Sequence, residues 1–110
     1  MADLSPLARK AIEQARQGEF DLALVTAKEA ISKDPTDKGL RFFAGLLYSR
    51  RCEFEKAAVE LREAMALAPD DLIVRTELVR VLGSIGRLDE AERLLDAPGL
   101  PPQLERRERG

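Results

Sequence analysis

Phe54-Glu55-Lys56-Ala57-Ala58, followed by Leu61, Ala64 and Pro69, decides the fold, because its pattern recurs on both sides at one offset. The step from Ala23 to Ala57 equals the step from Ala57 to Ala91. The same offset joins Phe20, Phe54 and Leu88; Asp21, Glu55 and Asp89; Gly18, Cys52 and Gly86; and Pro35 with Pro69. A fixed period between about 20 and 50 residues means stacked supersecondary units, none of which can bury its apolar face without a neighbour. Such an array names a mode of action, binding along an extended surface, and leaves the ligand open.

Outward from that stretch, the helical signals are regular. Pro69 ends the helix that Phe54 begins, with Ala68-Pro69-Asp70 stopping it and capping the next. The helix after it is expected from Asp71 to Ile85, with Val74, Leu78, Val81, Leu82 and Ile85 at steps of three and four, the most strongly amphipathic pattern in the chain. On the other side, Thr36 or Asp37 caps a helix running to about Arg51, in which Leu40, Phe43, Ala44, Leu47 and Tyr48 form one stripe. Phe42 and Leu46 fall off that stripe. Earlier still, Phe20 to Lys33 carries Leu24, Ala27 and Ile31 at helical spacing, and Ser5-Pro6 starts a helix that Gly18 closes. A last helix begins near Leu88, and Pro98-Gly99 with Pro101-Pro102 breaks it early. Connections of two to four residues make neighbouring helices antiparallel. Gly45 and Ala57 are small so that the two helices of the middle pair can approach closely.

The architecture expected is therefore all-α, a right-handed superhelical stack of three helix-turn-helix hairpins, an α-solenoid. It fills residues 1–97 in units of about 4–37, 38–71 and 72–97, the last truncated, and residues 98–110 form a Pro-rich break and a charged tail.

Composition narrows the function classes. The 18 basic and 20 acidic side chains leave a net charge of −2, so no general attraction to nucleic acid or anionic lipid is implied. One cysteine makes no internal disulfide, and the absence of histidine removes the usual zinc and iron ligand sets. No metal or other cofactor is expected. The longest apolar run, Phe42 to Tyr48, is too short to cross a bilayer, and the first residues lack the basic and apolar regions of a secretory signal. A cytoplasmic protein without membrane insertion is the expectation. Cys52 lies beside Arg50 and Arg51 but has no base near it in the sequence, and the scattered carboxylates come with no nucleophile and no phosphate loop. Catalysis is not expected.

The residues resemble the tetratricopeptide repeat family. The middle unit carries the resemblance best, with Ala44-Gly45, Tyr48, Ala57, Leu61, Ala64 and Pro69, although Arg41 stands where the family usually has a large aromatic. The first unit keeps Leu7, Ala11, Gly18, Phe20, Ala23, Ala27, Ala30 and Pro35 but has Gln14 where a tyrosine is common. The third keeps Leu78, Leu82, Gly86, Ala91 and Leu95, with Val79 in place of the small residue. The resemblance implies a concave groove lined by the first helix of each pair, at Ala8, Ile12 and Arg16, then Phe42, Leu46 and Arg50, then Ile73, Thr76 and Arg80. It also implies a scaffold that binds other proteins. The family's best-known subgroup grips a C-terminal carboxylate with lysines, asparagines and an arginine. At the matching places this chain has Ala8, Ile12, Phe43, Ile73 and Glu77, so that activity is not expected.

The partner expected is another protein or peptide segment bearing leucine or aromatic anchors and some acidic residues, drawn to an apolar floor with basic flanks. Two alternatives stay open: a homodimer or larger self-assembly using the same strip or the C-terminal end, and a targeting part of a larger enzyme. Within the groove itself, Ile12, Phe42, Leu46 and Ile73 either form the apolar strip or, in a register shifted by one, belong to the core.

Overall fold

The computed structural model describes residues 5–96, and within them every regular element is a helix. These are α1 (Pro6–Arg16), α2 (Phe20–Lys33), α3 (Lys38–Arg50), α4 (Phe54–Leu67), α5 (Leu72–Ser84) and α6 (Leu88–Asp96). Each helix packs on the next in sequence, most closely within the pairs α1 with α2 and α3 with α4. The result is an all-α helical-repeat solenoid of three hairpins. The expected breaks at Pro98 and Pro101 lie outside the described residues.

Local chemistry sets the boundaries. The Ser5 hydroxyl accepts from the Ala8 amide at 3.1 Å, and the Asp37 carboxylate accepts from the Leu40 amide at 3.1 Å. At α5 the cap is Asp71, which accepts from the Ile73 and Val74 amides, and not Asp70. The period points to this choice, since Asp71 stands one full repeat after Asp37. Thr36, the other candidate at α3, bonds to the Asp34 side chain instead.

The turns within the three hairpins are copies of one motif. The amides of Glu19, Glu53 and Arg87 each donate to a carbonyl five residues back, Gln14, Tyr48 and Leu82, all at 2.9 Å. This closure needs a left-handed residue one position earlier. Gly18 and Gly86 adopt it with φ of 84° and 81°, and Cys52 is held there at 62°.

A continuous core runs through the stack, with Leu61, Leu78, Leu82, Val74 and Val81 as its largest fully buried side chains. Ala23, Ala57 and Ala91, the residues that revealed the period, are all buried where paired helices meet. Gly45 is smaller by necessity: a Cβ there would lie 2.8 Å from Leu61 Cγ and 3.5 Å from the Ala57 carbonyl oxygen. The α3 stripe is buried as expected except for Phe43, which is only half-buried. α5 is not the most one-sided helix. Ile73 is 70% exposed and Val79 is half-buried on its other faces, whereas α1 and α6 separate polar from apolar more cleanly.

Two arginines fasten the hairpins to one another. Arg41 Nε donates to the Pro35 carbonyl at 3.3 Å, and Arg75 Nη2 donates to the Pro69 carbonyl at 3.2 Å. Arg41 also pairs with Glu60 at 3.1 Å, and Arg75 is buried. The aromatic expected at this position by family resemblance is thus replaced by a cation that satisfies a carbonyl just beyond the end of the preceding helix. Surface pairs then link successive units: Lys38 with Asp71, Arg51 with Asp21, Arg87 with Glu55, and Arg62 with Glu90 through two bonds of 3.0 and 2.8 Å. The hydrogen bond from Lys38 holds the Asp71 carboxyl below the usual aspartate range, and that from Arg62 holds Glu90 below the usual glutamate range.

Candidate functional site

α1 and α3 are the first helices of successive hairpins, and the space between them is not filled. It holds a cavity of about 300 Å³. Ala8 and Ile12 line it from α1, and Leu40, Phe42, Phe43 and Leu46 line it from α3, with Asp37 and Gly39 where α3 begins. This is the small end of the range for ligand pockets, roughly 300–1,000 Å³, with walls almost wholly apolar. Toward the end of α3 it adjoins a second, more polar depression of about 490 Å³ that shares Phe43 and Leu46 and adds Phe20, Ser49, Arg50 and Arg80.

The nine expected groove residues are therefore distributed as follows. Ala8, Ile12, Phe42 and Leu46 come together in the apolar cavity, and Leu46, Arg50 and Arg80 in the depression beside it. Arg16 lines, with Ile12, Arg9 and Glu13, another depression on α1, and Ile73 and Thr76 line a separate shallow depression on α5. The strip is interrupted between α3 and α5. Ala8 is 1% exposed, so it belongs to the core and contributes only its methyl to the cavity wall. Phe42 is half-buried and packs against the core, which makes it both wall and scaffold.

The cations differ from a simple basic flank. Arg80 pairs with Glu77 one turn earlier on its own helix and donates to Ser49 Oγ at 3.3 Å, and the bond it donates to Glu77 raises the Arg80 pKa. Arg16 lies 3.9 Å from Glu13. Arg50 is the exception: its guanidinium sits 3.9 Å above the centre of the Phe20 ring, a cation–π contact that orients the group, and it joins no ion pair among the described residues. Phe43, read from the sequence as core, lines both depressions. The signal that could have found it was its position at the edge of the stripe, next to Phe42, where a helix face turns from core to groove.

Among the described residues no cluster of three or more histidine, cysteine or acidic side chains could hold a metal. Nor is any helix among them long and apolar enough to cross a membrane.

Paired antiparallel helices, repeated at one fixed period around a lined groove, define the class: a helical-repeat solenoid. Residues 53–101 match the family model described as Tetratricopeptide repeat. Solved structures share the fold. The first tetratricopeptide domain of Spaghetti, bound to an HSP90 peptide, superposes with a TM-score of 0.76 at 21% identity, covering 82% of this chain and 71% of that one. The type III secretion translocator chaperone SycD of Yersinia enterocolitica, in an alternative dimer, gives 0.74 at 19% identity, with 81% and 67% covered. An O-GlcNAc transferase of Thermobaculum terrenum gives 0.72 at 25% identity, with 81% of this chain covering 17% of that enzyme. Comparison with curated protein sequences finds no match.

Proposed function

We propose that the chain is a non-catalytic protein-interaction module, working in the cytoplasm, that takes up an apolar or amphipathic segment of a partner protein between α1 and α3. The observation that carries this reading is the apolar cavity itself, walled by residues of two successive hairpins and open to solvent. Water in contact with such walls is released when a leucine or aromatic side chain enters, and a few anchors of this kind dominate affinity at protein interfaces. The neighbours support a protein partner in general: one is bound to a peptide and one is a chaperone.

The carboxylate-gripping activity of the family's best-known subgroup does not suit this groove. Among the five matching positions, Ala8, Ile12, Phe43 and Ile73 carry no charge, and Glu77 is an anion held by Arg80. A terminal carboxylate would meet an apolar wall and a like charge.

Leu46→Arg is the better probe of the site than Phe42→Asp, because Leu46 is 36% exposed whereas Phe42 packs against the core. Affinity capture from a lysate should retain a partner on the parent and release it from the equally helical Leu46→Arg protein, with a loss on the order of 1–2 kcal/mol. Equal recovery on both would remove the groove from the account. A second reading, self-association, is favoured by Leu22, Val25 and Val59, which are more than half exposed and lie outside the cavity. A mass that rises with concentration and is unchanged by Leu46→Arg would support it. A role as the targeting part of a larger enzyme is compatible with either reading, and is supported by the transferase neighbour, most of which lies outside the shared region.

A further inference from the structure

The groove is electrically polar along its length. Three charged side chains line the two adjoining depressions, Asp37, Arg50 and Arg80. Arg80 is neutralised by Glu77. Neither Asp37 nor Arg50 joins an ion pair among the described residues, and they stand at opposite ends of α3. Both are held in place: Asp37 by the Leu40 amide that it caps, and Arg50 by the Phe20 ring. Between them lie Phe42, Phe43 and Leu46. The length of α3 separates the two charges, about 20 Å along the axis at roughly 1.5 Å per residue. An extended segment of about six residues spans that length at roughly 3.3 Å per residue.

Resting on the groove reading above, we infer that the partner segment is extended and charge-ordered: a basic side chain over Asp37, one or two large apolar anchors over Phe42 and Leu46, and an acidic side chain over Arg50. Charge complementarity selects this occupant over a uniformly acidic one, which would meet Asp37 at one end. It likewise disfavours a uniformly basic one, which would meet Arg50 at the other. The order also sets the direction in which the segment lies along α3. Exposed pairs of this kind contribute modestly, so the charges govern orientation and the anchors govern affinity.

The test uses synthetic peptides with two central anchors, leucine and phenylalanine, and one charge at each end, about six residues apart. Each is made with lysine and glutamate, in both orders along the peptide, and with glutamine at either or both ends. Binding to the full chain is measured by calorimetry at low salt. One lysine–glutamate peptide should bind roughly tenfold tighter than the doubly neutral one, with each charge giving about twofold to fivefold. The gain from lysine should vanish in Asp37→Asn, which keeps the helix cap, and the gain from glutamate should vanish in Arg50→Gln. Equal affinity of charged and neutral peptides would overturn the charge order while leaving the groove in place, provided that Leu46→Arg abolishes binding of both. Gains that survive both charge-removing variants would overturn it too. No binding of any peptide sensitive to Leu46→Arg would overturn the groove reading and the charge order with it.

Discussion

The two junctions between first helices are built from equivalent positions and come out opposite in character. Between α1 and α3 the facing residues include Ile12 and Leu46, and a cavity remains. One period further on, the residue equivalent to Leu46 is Arg80, and between α3 and α5 it reaches Ser49 and Glu77. The backbone repeat is the same at both. A single column of the repeat, Ile12, Leu46 and Arg80, switches from aliphatic to cationic and thereby ends the groove after one and a half hairpins. The scaffold sets where a groove can be; the side chain at one position of the repeat sets where it stops.

The comparison can be broken by making one unit resemble another. The largest effect is expected at Gly45, whose equivalents are Ala11 and Val79. Gly45→Val would drive a branched side chain into Leu61 and should destabilise the fold by about 1–3 kcal/mol, read from denaturant midpoints. An unchanged midpoint would show that α3 and α4 can move apart, and that the middle hairpin is no tighter than the third. Next comes the switch column itself. Arg80→Leu should carry the apolar strip across the second junction and strengthen binding of a longer apolar segment by up to about 1.5–3 kcal/mol if the side chain becomes fully buried in the complex. No gain with any length of segment would mean that the groove is closed at α5 by something other than Arg80.

Cys52→Gly makes the middle turn like the other two. Holding a residue with a Cβ in the left-handed region costs roughly 1–2 kcal/mol, which glycine avoids, and glycine's greater freedom in the unfolded chain offsets part of that gain. A net stabilisation of about 0.5–1 kcal/mol is expected from the difference. A thermal melt that falls would show that the cysteine makes a contact beyond the turn. The smallest effect concerns acid. Asp71 and Glu90 have pKa values held below the ordinary aspartate and glutamate values of about 3.9 and 4.3, through Lys38 and Arg62 respectively. A depressed folded-state pKa stabilises fully above the unfolded value, and that contribution is lost as pH falls through the folded one. Stability should therefore begin to drop near about pH 4 and continue below it. Glu90→Gln should melt below the parent at about pH 7, by less than about 1 kcal/mol, and together with it at about pH 2. A difference that persists in acid would assign Glu90 a role other than its charge.

The fold was legible because its signals were repeated. Helix ends at Pro35 and Pro69, turns at Gly18, Cys52 and Gly86, and the buried alanines could each be checked against a copy one period away. The limits of α2 and α4 coincide with those expected, and the other described helices agree within a residue or so at their ends. The groove was less legible. The family resemblance put Ala8, Ile12, Phe42 and Leu46 among the expected groove residues; all four line the cavity, but the resemblance could not show that Ala8 is closed off by packing, because one methyl serves core and wall alike. Nor does spacing reveal pairing. Arg16, Arg50 and Arg80 read as one basic row, and only the geometry of Glu13, Phe20 and Glu77 separates them. Arg75 escaped notice although it stands one period after Arg41, since a cation inside an apolar stripe makes sense only once the Pro69 carbonyl is seen beside it.

Those two arginine clasps bear on how such a chain can grow. Each joins residues only six apart, Pro35 to Arg41 and Pro69 to Arg75, so the fastening between one hairpin and the next is written within the joint itself. The pair between Lys38 and Asp71, by contrast, exists only because two separate copies carry complementary charges. A duplication that copies one period spanning either joint, Pro35 to Arg41 or Pro69 to Arg75, brings its own proline carbonyl and its own arginine. The added unit arrives already latched, and the charges on its outer surface are left to adapt afterwards.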